Sequence, residues 1–166
     1  MAGPAGVTSP PGLCVSFQRY PWPASGAAAP AAPSSLGALP LAEAHGELLL
    51  PVAIGEAFWI GLDLPADAPV LLFLLRVQTS DGAWWPQAPL RVAPHAAMAG
   101  YAAGRPDRRA FGAGCSRLAW ALEQGGVTLS PLEIRLVDPA EYARRSGQPA
   151  PPTLQPGSGF GGWRLP

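Results

Sequence analysis

The chain has 166 residues, of which 48% are hydrophobic and 13% are charged, and its formal net charge is zero. A neutral chain of this length predicts one domain with a real core, and it excludes a protein that binds nucleic acid through a basic surface. All eleven basic residues are arginines, which excludes lysine chemistry such as a Schiff base or a P-loop phosphate clamp.

The first elements of the chain read as β-strands. Leu13–Tyr20 alternates between apolar and polar residues, which predicts a first strand. Residues 21–40 are rich in proline and alanine and have no period, so we expect an extended connection on the surface. Residues 48–64 are strongly apolar and predict two strand pieces broken near Pro51 or Gly55, because proline cannot donate to a strand ladder.

The middle of the chain predicts a central strand and a hairpin. Val70–Val77 is apolar at both odd and even positions, which suits a central strand covered on both faces. Ser80–Gly82 contains an Asp-Gly turn signal, and Ala83–Trp85 begins the return strand. Leu90–Ala93 predicts another short strand, and residues 96–115, rich in glycine and alanine, predict a loop or an irregular insertion.

The last third predicts strands followed by one helix. Ser116–Gln124 alternates as a strand does, although Ser116 could also cap a short helix; we favour the strand. Leu132–Val137 alternates again. Asp138 is then a natural helix N-cap, a proline and Glu141 suit the first turn, and Gly147 ends the helix.

These elements predict a mainly β, single-domain antiparallel sandwich or open barrel, with one short helix near the C-terminus and extended Pro/Gly-rich terminal segments. The predicted β-rich domain spans residues 13–147 and includes the 21–40 connection, and a Pro/Gly-rich tail follows at 148–166.

The sequence predicts a cytoplasmic protein without a membrane span. Residues 1–12 have no basic start and no apolar stretch typical of a signal peptide, and no apolar run reaches about 18 residues. Cys14 and Cys115 either pair in a disulfide or lie buried as two small apolar side chains.

Four stretches of the chain resemble a family of uncharacterised bacterial proteins. They are Phe17-Gln18-Arg19; Ser35-Leu36-Gly37 with Pro40-Leu41; Leu50-Pro51 running into Glu56-Ala57-Phe58-Trp59-Ile60; and Leu132–Leu136 with Glu141-Tyr142. The chain departs from the family in carrying Val52-Ala53-Ile54 in place of Met-Tyr-Gln and in having no Gln-Pro-Trp-Leu-Asp-Gly stretch. The family has no established activity, so the resemblance assigns no catalytic residue.

Glu56 is the one candidate for acid–base chemistry. It shares strand parity with Phe58 and Ile60, so it would lie on the apolar face, where burial raises a carboxyl pKa. The alternative is that Glu56 lies at the mouth of the strand and binds an arginine or backbone amides. Trp59 and Asp63 have the opposite parity and would face outward together.

Tryptophan is the next candidate for binding. The six tryptophans are Trp22, Trp59, Trp84, Trp85, Trp120 and Trp163. Exposed rings on a sandwich could stack on a sugar or anchor a protein partner, whereas buried rings belong to the core. Adjacent strand residues point to opposite faces, so one ring of Trp84-Trp85 should lie in the core and the other should be exposed.

The segment Tyr101–Arg109 contains the only basic cluster. Arg105, Arg108 and Arg109 beside Tyr101 could hold a phosphate or a carboxylate, or they form a solvated loop. The sequence predicts no cofactor and no metal site, because His45 and His95 are the only histidines and lack ligand spacing. A nucleophile pair of Cys115 and His95 is supported by residue type alone.

We therefore carry three hypotheses. The leading one is a non-catalytic β-rich binding or assembly module with a protein partner or a homo-oligomer, because so few charges leave a surface that repels other proteins weakly. The second is a small-molecule enzyme with Glu56 as acid–base and the 105–109 loop as anion clamp, which requires both to border one pocket. The third is carbohydrate binding through Trp59 or Trp85, which requires two exposed rings on one face.

Overall fold

The computed structural model describes residues 12–154, which form two β-sheets packed face to face and one helix. The five-stranded sheet contains β1 (Cys14–Pro21), β4 (Glu56–Asp63), β8 (His95–Met98), β9 (Gly100–Tyr101) and β10 (Arg109–Gly112). The seven-stranded sheet contains β2 (Ala42–Ala44), β3 (Glu47–Pro51), β5 (Leu71–Thr79), β6 (Trp84–Pro86), β7 (Leu90–Val92), β11 (Cys115–Gln124) and β12 (Val127–Val137). Helix α1 spans Pro139–Ser146. The mainly β prediction is confirmed: the two sheets do not form a closed barrel, and the architecture is consistent with a sandwich.

The core lies between the sheets and is built from alternate strand residues, as the polarity pattern predicts. Phe58 of β4 stacks on Phe111 at 5.3 Å between ring centroids and meets Phe17 edge to face at 5.8 Å. From the opposite sheet, Phe73 packs against Trp120 at 5.4 Å. These aromatic contacts bury large apolar area at the centre of the sandwich, and Phe17 joins the two layers through its contact with Trp120 at 6.3 Å between ring centroids.

The strand pairing is antiparallel with one exception. β1 runs antiparallel to β4, and β11 runs antiparallel to both β5 and β12, but β3 pairs parallel to β12 through Leu48 and Ile134. The predicted break between β3 and β4 is present, with Pro51 ending β3 and Gly55 in the left-handed region at φ 86°. The favoured strand reading of 116–124 is confirmed as β11.

The prediction for residues 96–115 is wrong in part, because β8, β9 and β10 lie there and contribute to the five-stranded sheet. Their small residues hide the strand pattern. Gly100 is needed for close approach, since a Cβ at this position would lie 2.3 Å from the Ala28 side chain and from the Arg109 carbonyl oxygen. The sequence signal is therefore weak where the backbones pack most tightly.

Residues 22–41, the crossing segment, form the predicted extended connection. The segment first pairs with β10, where the Ala28 N–H donates to the Arg108 carbonyl at 2.9 Å, and then passes over the outer face of β4, where Trp59 Nε1 donates to the Pro33 carbonyl at 3.0 Å. It then returns along the edge of β1, where the Leu39 N–H donates to the Phe17 carbonyl at 2.8 Å. The crossing segment therefore covers the outer face of one sheet and then extends the edge of the sandwich.

Helix α1 begins and ends as predicted. The Asp138 carboxylate accepts from the Glu141 N–H at 2.9 Å, and Gly147 caps the end at φ 70°. Tyr142 packs on Leu49 of β3. Residues 148–154, which we call the arm, then run back toward β1, and the rest of the predicted 148–166 tail lies outside the described residues.

Candidate functional site

A cleft of about 880 Å³ lies along one edge of the sandwich, beside the edge strands β1 and β2. We call it the edge cleft. Its lining comes from β1, the end of the crossing segment, β2, helix α1 and the arm, and it is mostly apolar. The lining residues used below are Phe17, Arg19, Tyr142, Pro149, Ala150 and Pro152.

One buried ion pair lies at the end of this cleft. Arg19 Nη2 is 2.7 Å from Glu56 Oε1, and the two side chains are only 3% and 6% exposed. The β1–β4 register explains the pairing: Arg19 lies opposite Phe58, so Glu56 is its diagonal neighbour on the same face of the sheet. The two charges compensate each other. Either charge alone, buried in this position, would carry a large free-energy cost.

The same pair holds the main chain of the arm. Arg19 Nη2 also donates to the Pro152 carbonyl at 2.8 Å, and the Leu154 N–H donates to Glu56 Oε1 at 3.0 Å. In an extended chain, a carbonyl and the N–H two residues later lie on the same side. Arg19 and Glu56 therefore act together as a donor and an acceptor for an extended backbone, and we call them the backbone clamp.

The clamp retains one unused donor. Among the residues that the structure describes, Arg19 Nε is buried and has no hydrogen-bond acceptor.

The sequence placed Glu56 correctly on the apolar face but did not identify its partner. In the sequence, Arg19 stands out only as part of the Phe-Gln-Arg stretch. The signal was available, because Arg19 shares parity with Val15 and Phe17 and is therefore also a charge on an apolar face. Glu56 sits at the start of β4, bound to an arginine and a backbone amide, as the alternative to acid–base chemistry stated.

Glu56 and the 105–109 loop do not come together in the edge cleft or in the pocket beside the crossing segment. Arg108 lines a separate pocket of about 420 Å³ together with the crossing segment, and Glu56 lines neither that pocket nor the edge cleft. The Arg108 guanidinium donates to the Gly100 carbonyl, while Arg105 and Arg109 are exposed. The geometry that the enzyme hypothesis required is absent from these pockets, and we do not carry that hypothesis further.

Tyr101 is a buried residue rather than part of an anion site. The residue is 3% exposed, and its ring packs against Phe111. Burial raises the pKa of Tyr101 and that of the Cys115 thiol. A thiol with a raised pKa is a poor nucleophile. His95 is engaged elsewhere, with Nδ1 2.7 Å from Asp63 Oδ1.

The tryptophans proposed for sugar binding lie on different sheets. Trp59 belongs to β4 and donates from Nε1 to the Pro33 carbonyl at 3.0 Å; Trp85 belongs to β6 and donates to Thr79 Oγ1 at 3.2 Å. Both rings are half-buried, so this pair does not form the exposed two-ring face that the hypothesis required.

The remaining tryptophans have structural surroundings. Trp84 is half-buried like Trp85, so the prediction of one core ring and one exposed ring is wrong; its ring lies 4.9 Å from the Arg76 guanidinium. Trp22 packs over Gly112, where a Cβ would come within 2.4 Å of the ring. Trp120 belongs to the core, and Trp163 lies outside the described residues.

Cys14 and Cys115 do not form a disulfide with each other. Within residues 12–154, no group of three or more histidine, cysteine, aspartate or glutamate side chains could hold a metal ion. The same part of the chain contains no helix long and apolar enough to cross a membrane.

Comparison of the chain with protein families, with curated proteins and with solved structures finds no match. The likeness to a family of uncharacterised bacterial proteins therefore stays a resemblance of motifs. Any function must be argued from the edge cleft and the backbone clamp.

Proposed function

We propose that this chain is a non-catalytic binding module that holds an extended, uncharged, proline-containing segment of a protein partner in the edge cleft. The observation that carries the proposal is the backbone clamp. Arg19 and Glu56 bind a main-chain carbonyl and a main-chain N–H of the arm, at 2.8 Å and 3.0 Å. Groups that bind backbone rather than side chains suit an extended peptide of variable sequence.

The charge of the clamp selects an uncharged ligand. Arg19 and Glu56 neutralise each other in a site that is almost closed to water. A ligand carboxylate or ammonium would leave a third buried charge without a partner, which costs several kcal/mol by order of magnitude, about the penalty for breaking a buried pair. A backbone carbonyl adds an acceptor without adding a charge.

The lining of the cleft supports a proline-containing ligand. The arm, Gln148–Leu154, contains three prolines and already lies there. Proline-rich segments take an extended conformation before they bind, so they lose little entropy, and they dock in grooves lined by aromatic side chains. Phe17 and Tyr142 provide such side chains.

We also propose a type of source organism and a cellular location for the protein. A composition dominated by alanine, glycine, proline and arginine supports a bacterial origin with a GC-rich genome. We include a cytoplasmic location in the proposal, since Cys14 and Cys115 do not form a disulfide with each other. The low fraction of charged residues supports association of the chain with another protein.

A peptide-binding measurement on the full chain tests the proposal. Leu154→Pro removes the N–H that donates to Glu56, and so loosens the arm without changing Arg19, Glu56 or the part of the lining that β1, β2 and α1 provide. We expect a labelled peptide with the sequence of residues 148–154 to bind this variant saturably in fluorescence polarisation. The same peptide with proline in place of its leucine should bind at least about tenfold more weakly, since a hydrogen bond to a charged group contributes about 1.5–3 kcal/mol.

Leu154→Ala is the matched control. It keeps the N–H and therefore keeps the arm in place, so it should bind the peptide as weakly as the wild-type chain does. Equal affinity of Leu154→Pro for both peptides, or no saturable binding, would show that the clamp does not recognise extended backbone.

A further inference from the structure

The arm is attached to the molecule differently from the helix that precedes it. Helix α1 is held by the packing of Tyr142 on the seven-stranded sheet and by an ion pair between Arg145 and Glu47. The arm begins after Gly147, which is exposed and has φ 70°. Glycine at this position lets the chain direction change without strain. The arm can therefore leave the cleft while α1 stays in place.

The contacts of the arm do not depend on its covalent connection to the same chain. The Pro152 carbonyl and the Leu154 N–H bind side chains of β1 and β4, which lie more than ninety residues earlier. Ala150 packs beside the cluster that contains Leu49 and Tyr142. An arm of identical sequence from another molecule would find the same carbonyl acceptor, amide donor and apolar walls.

We infer that residues 148–154 of one copy of the chain dock in the edge cleft of a second copy, and that the exchange is reciprocal. This inference rests on the proposed function, because it uses the same cleft and clamp. Each copy then supplies Pro152 and Leu154 to Arg19 and Glu56 of the other, as in a two-fold symmetric swapped dimer. Swapping conserves the native contacts, so little is lost when the arm changes partner.

A second copy is favoured over an unrelated protein by what the chain itself shows. The arm is the one segment of known sequence that fits the clamp, and every copy carries both the arm and the clamp. The zero net charge adds no long-range repulsion between copies.

Complementation between two variants of the full chain tests the inference. Leu154→Pro has an intact clamp and a defective arm, whereas Arg19→Met/Glu56→Leu has an intact arm and no clamp. Neither variant can exchange arms productively with itself, but a mixture restores one complete site per pair. We expect light scattering of the equimolar mixture to show a species of twice the 17.1 kDa chain mass, with a dissociation constant at least about tenfold below that of either variant alone.

Replacing Leu154→Pro by Leu154→Pro/Arg19→Met/Glu56→Leu in the mixture removes every intact clamp and should abolish the effect. A mixture whose mass equals the average of its separate components at all concentrations overturns the exchange. If the peptide of residues 148–154 still binds Leu154→Pro, peptide recognition stands and only the exchange is lost; if the peptide does not bind either, both fail.

A measurement on the wild-type chain avoids reliance on the variants. In a one-to-one mixture of ¹³C-labelled and unlabelled chain, isotope-filtered NMR detects contacts between molecules only. Arm exchange predicts such contacts between Ala150 of one copy and Tyr142 of the other. Detection of the Ala150–Tyr142 contact solely within single molecules at millimolar concentration overturns the inference.

Discussion

At the scale of single residues, the molecule is organised around two opposite charges on an apolar face. Alternation placed Glu56 with Phe58 and Ile60, and the β1–β4 register brings Arg19 beside it. Buried pairs are weak evidence for stability, since desolvation offsets most of the attraction. We therefore attribute this pair to recognition of backbone: Arg19 and Glu56 each make a second bond to the arm, and the pair needs both partners to remain charged.

Removing one partner should be far worse than removing both. Glu56→Ala leaves the Arg19 guanidinium buried without a counter-charge, and we expect it to lower the free energy of unfolding by about 3–5 kcal/mol. Arg19→Met/Glu56→Leu replaces both charges with apolar groups and should lie within about 1–2 kcal/mol of the wild-type chain. Urea unfolding followed by tryptophan fluorescence measures both. A Glu56→Ala variant that is no less stable than the double variant would mean that the two side chains are not coupled.

At the scale of elements, the sequence predicted the strands and the helix whose side chains show clear alternation or clear capping. β1, β4 and β12 alternate clearly, and Asp138 with Gly147 marks both ends of α1. The sequence did not predict β8, β9 and β10, because their alanine and glycine residues give almost no alternation between apolar and polar side chains. Their position depends on close approach to the crossing segment.

The arm and its site could not be predicted for a different reason. The arm binds through its backbone, and a carbonyl or an N–H is present at almost every position of the chain. Arg19 and Pro152 are 133 residues apart, and no local pattern links them. The residue types at the site were therefore visible in the sequence, whereas the contact between the arm and the backbone clamp depends on the complete fold.

Close approach at β9 gives a direct test of this packing. A side chain at Gly100 would collide with Ala28 and with the Arg109 backbone, both at 2.3 Å. We expect Gly100→Ala to lower the unfolding free energy by about 1–3 kcal/mol, as overpacking does. Gly114→Ala is the control, because its nearest neighbour, the Tyr101 hydroxyl, is 4.0 Å away. Equal stability of the two variants in chemical denaturation would contradict the observed contact between the crossing segment and β9.

At the scale of the whole molecule, two buried acids lie in the core between the layers of the sandwich. Tyr101 lies on β9 of the five-stranded sheet and Cys115 on β11 of the seven-stranded sheet. Burial raises both pKa values, Cys115 from the normal thiol range and Tyr101 from that of a phenol. The folded chain therefore favours the neutral thiol and the neutral phenol over the thiolate and the phenolate.

This arrangement makes stability fall at alkaline pH. An acid whose pKa is higher in the folded than in the unfolded chain stabilises the fold fully below the unfolded pKa and loses that contribution as pH rises through the folded pKa. The unfolded thiol titrates near pH 8.5 and the unfolded phenol near pH 10, so the decline should begin at about pH 8.5 with Cys115 and steepen above about pH 10 as Tyr101 contributes. Each group adds a slope of at most about 1.4 kcal/mol per pH unit.

Urea unfolding between pH 7 and 10 measures the decline, and variants separate its sources. Cys115→Ala should flatten the curve between about pH 8.5 and 10, because in that window the thiol is the first of the two groups to titrate in the unfolded chain. Tyr142→Phe serves as a control: its pKa is also raised by burial, but as a phenol it affects only the region above about pH 10. An unfolding free energy that stays constant to pH 10 in the wild-type chain would mean that the Cys115 thiol is as accessible to solvent in the folded as in the unfolded protein.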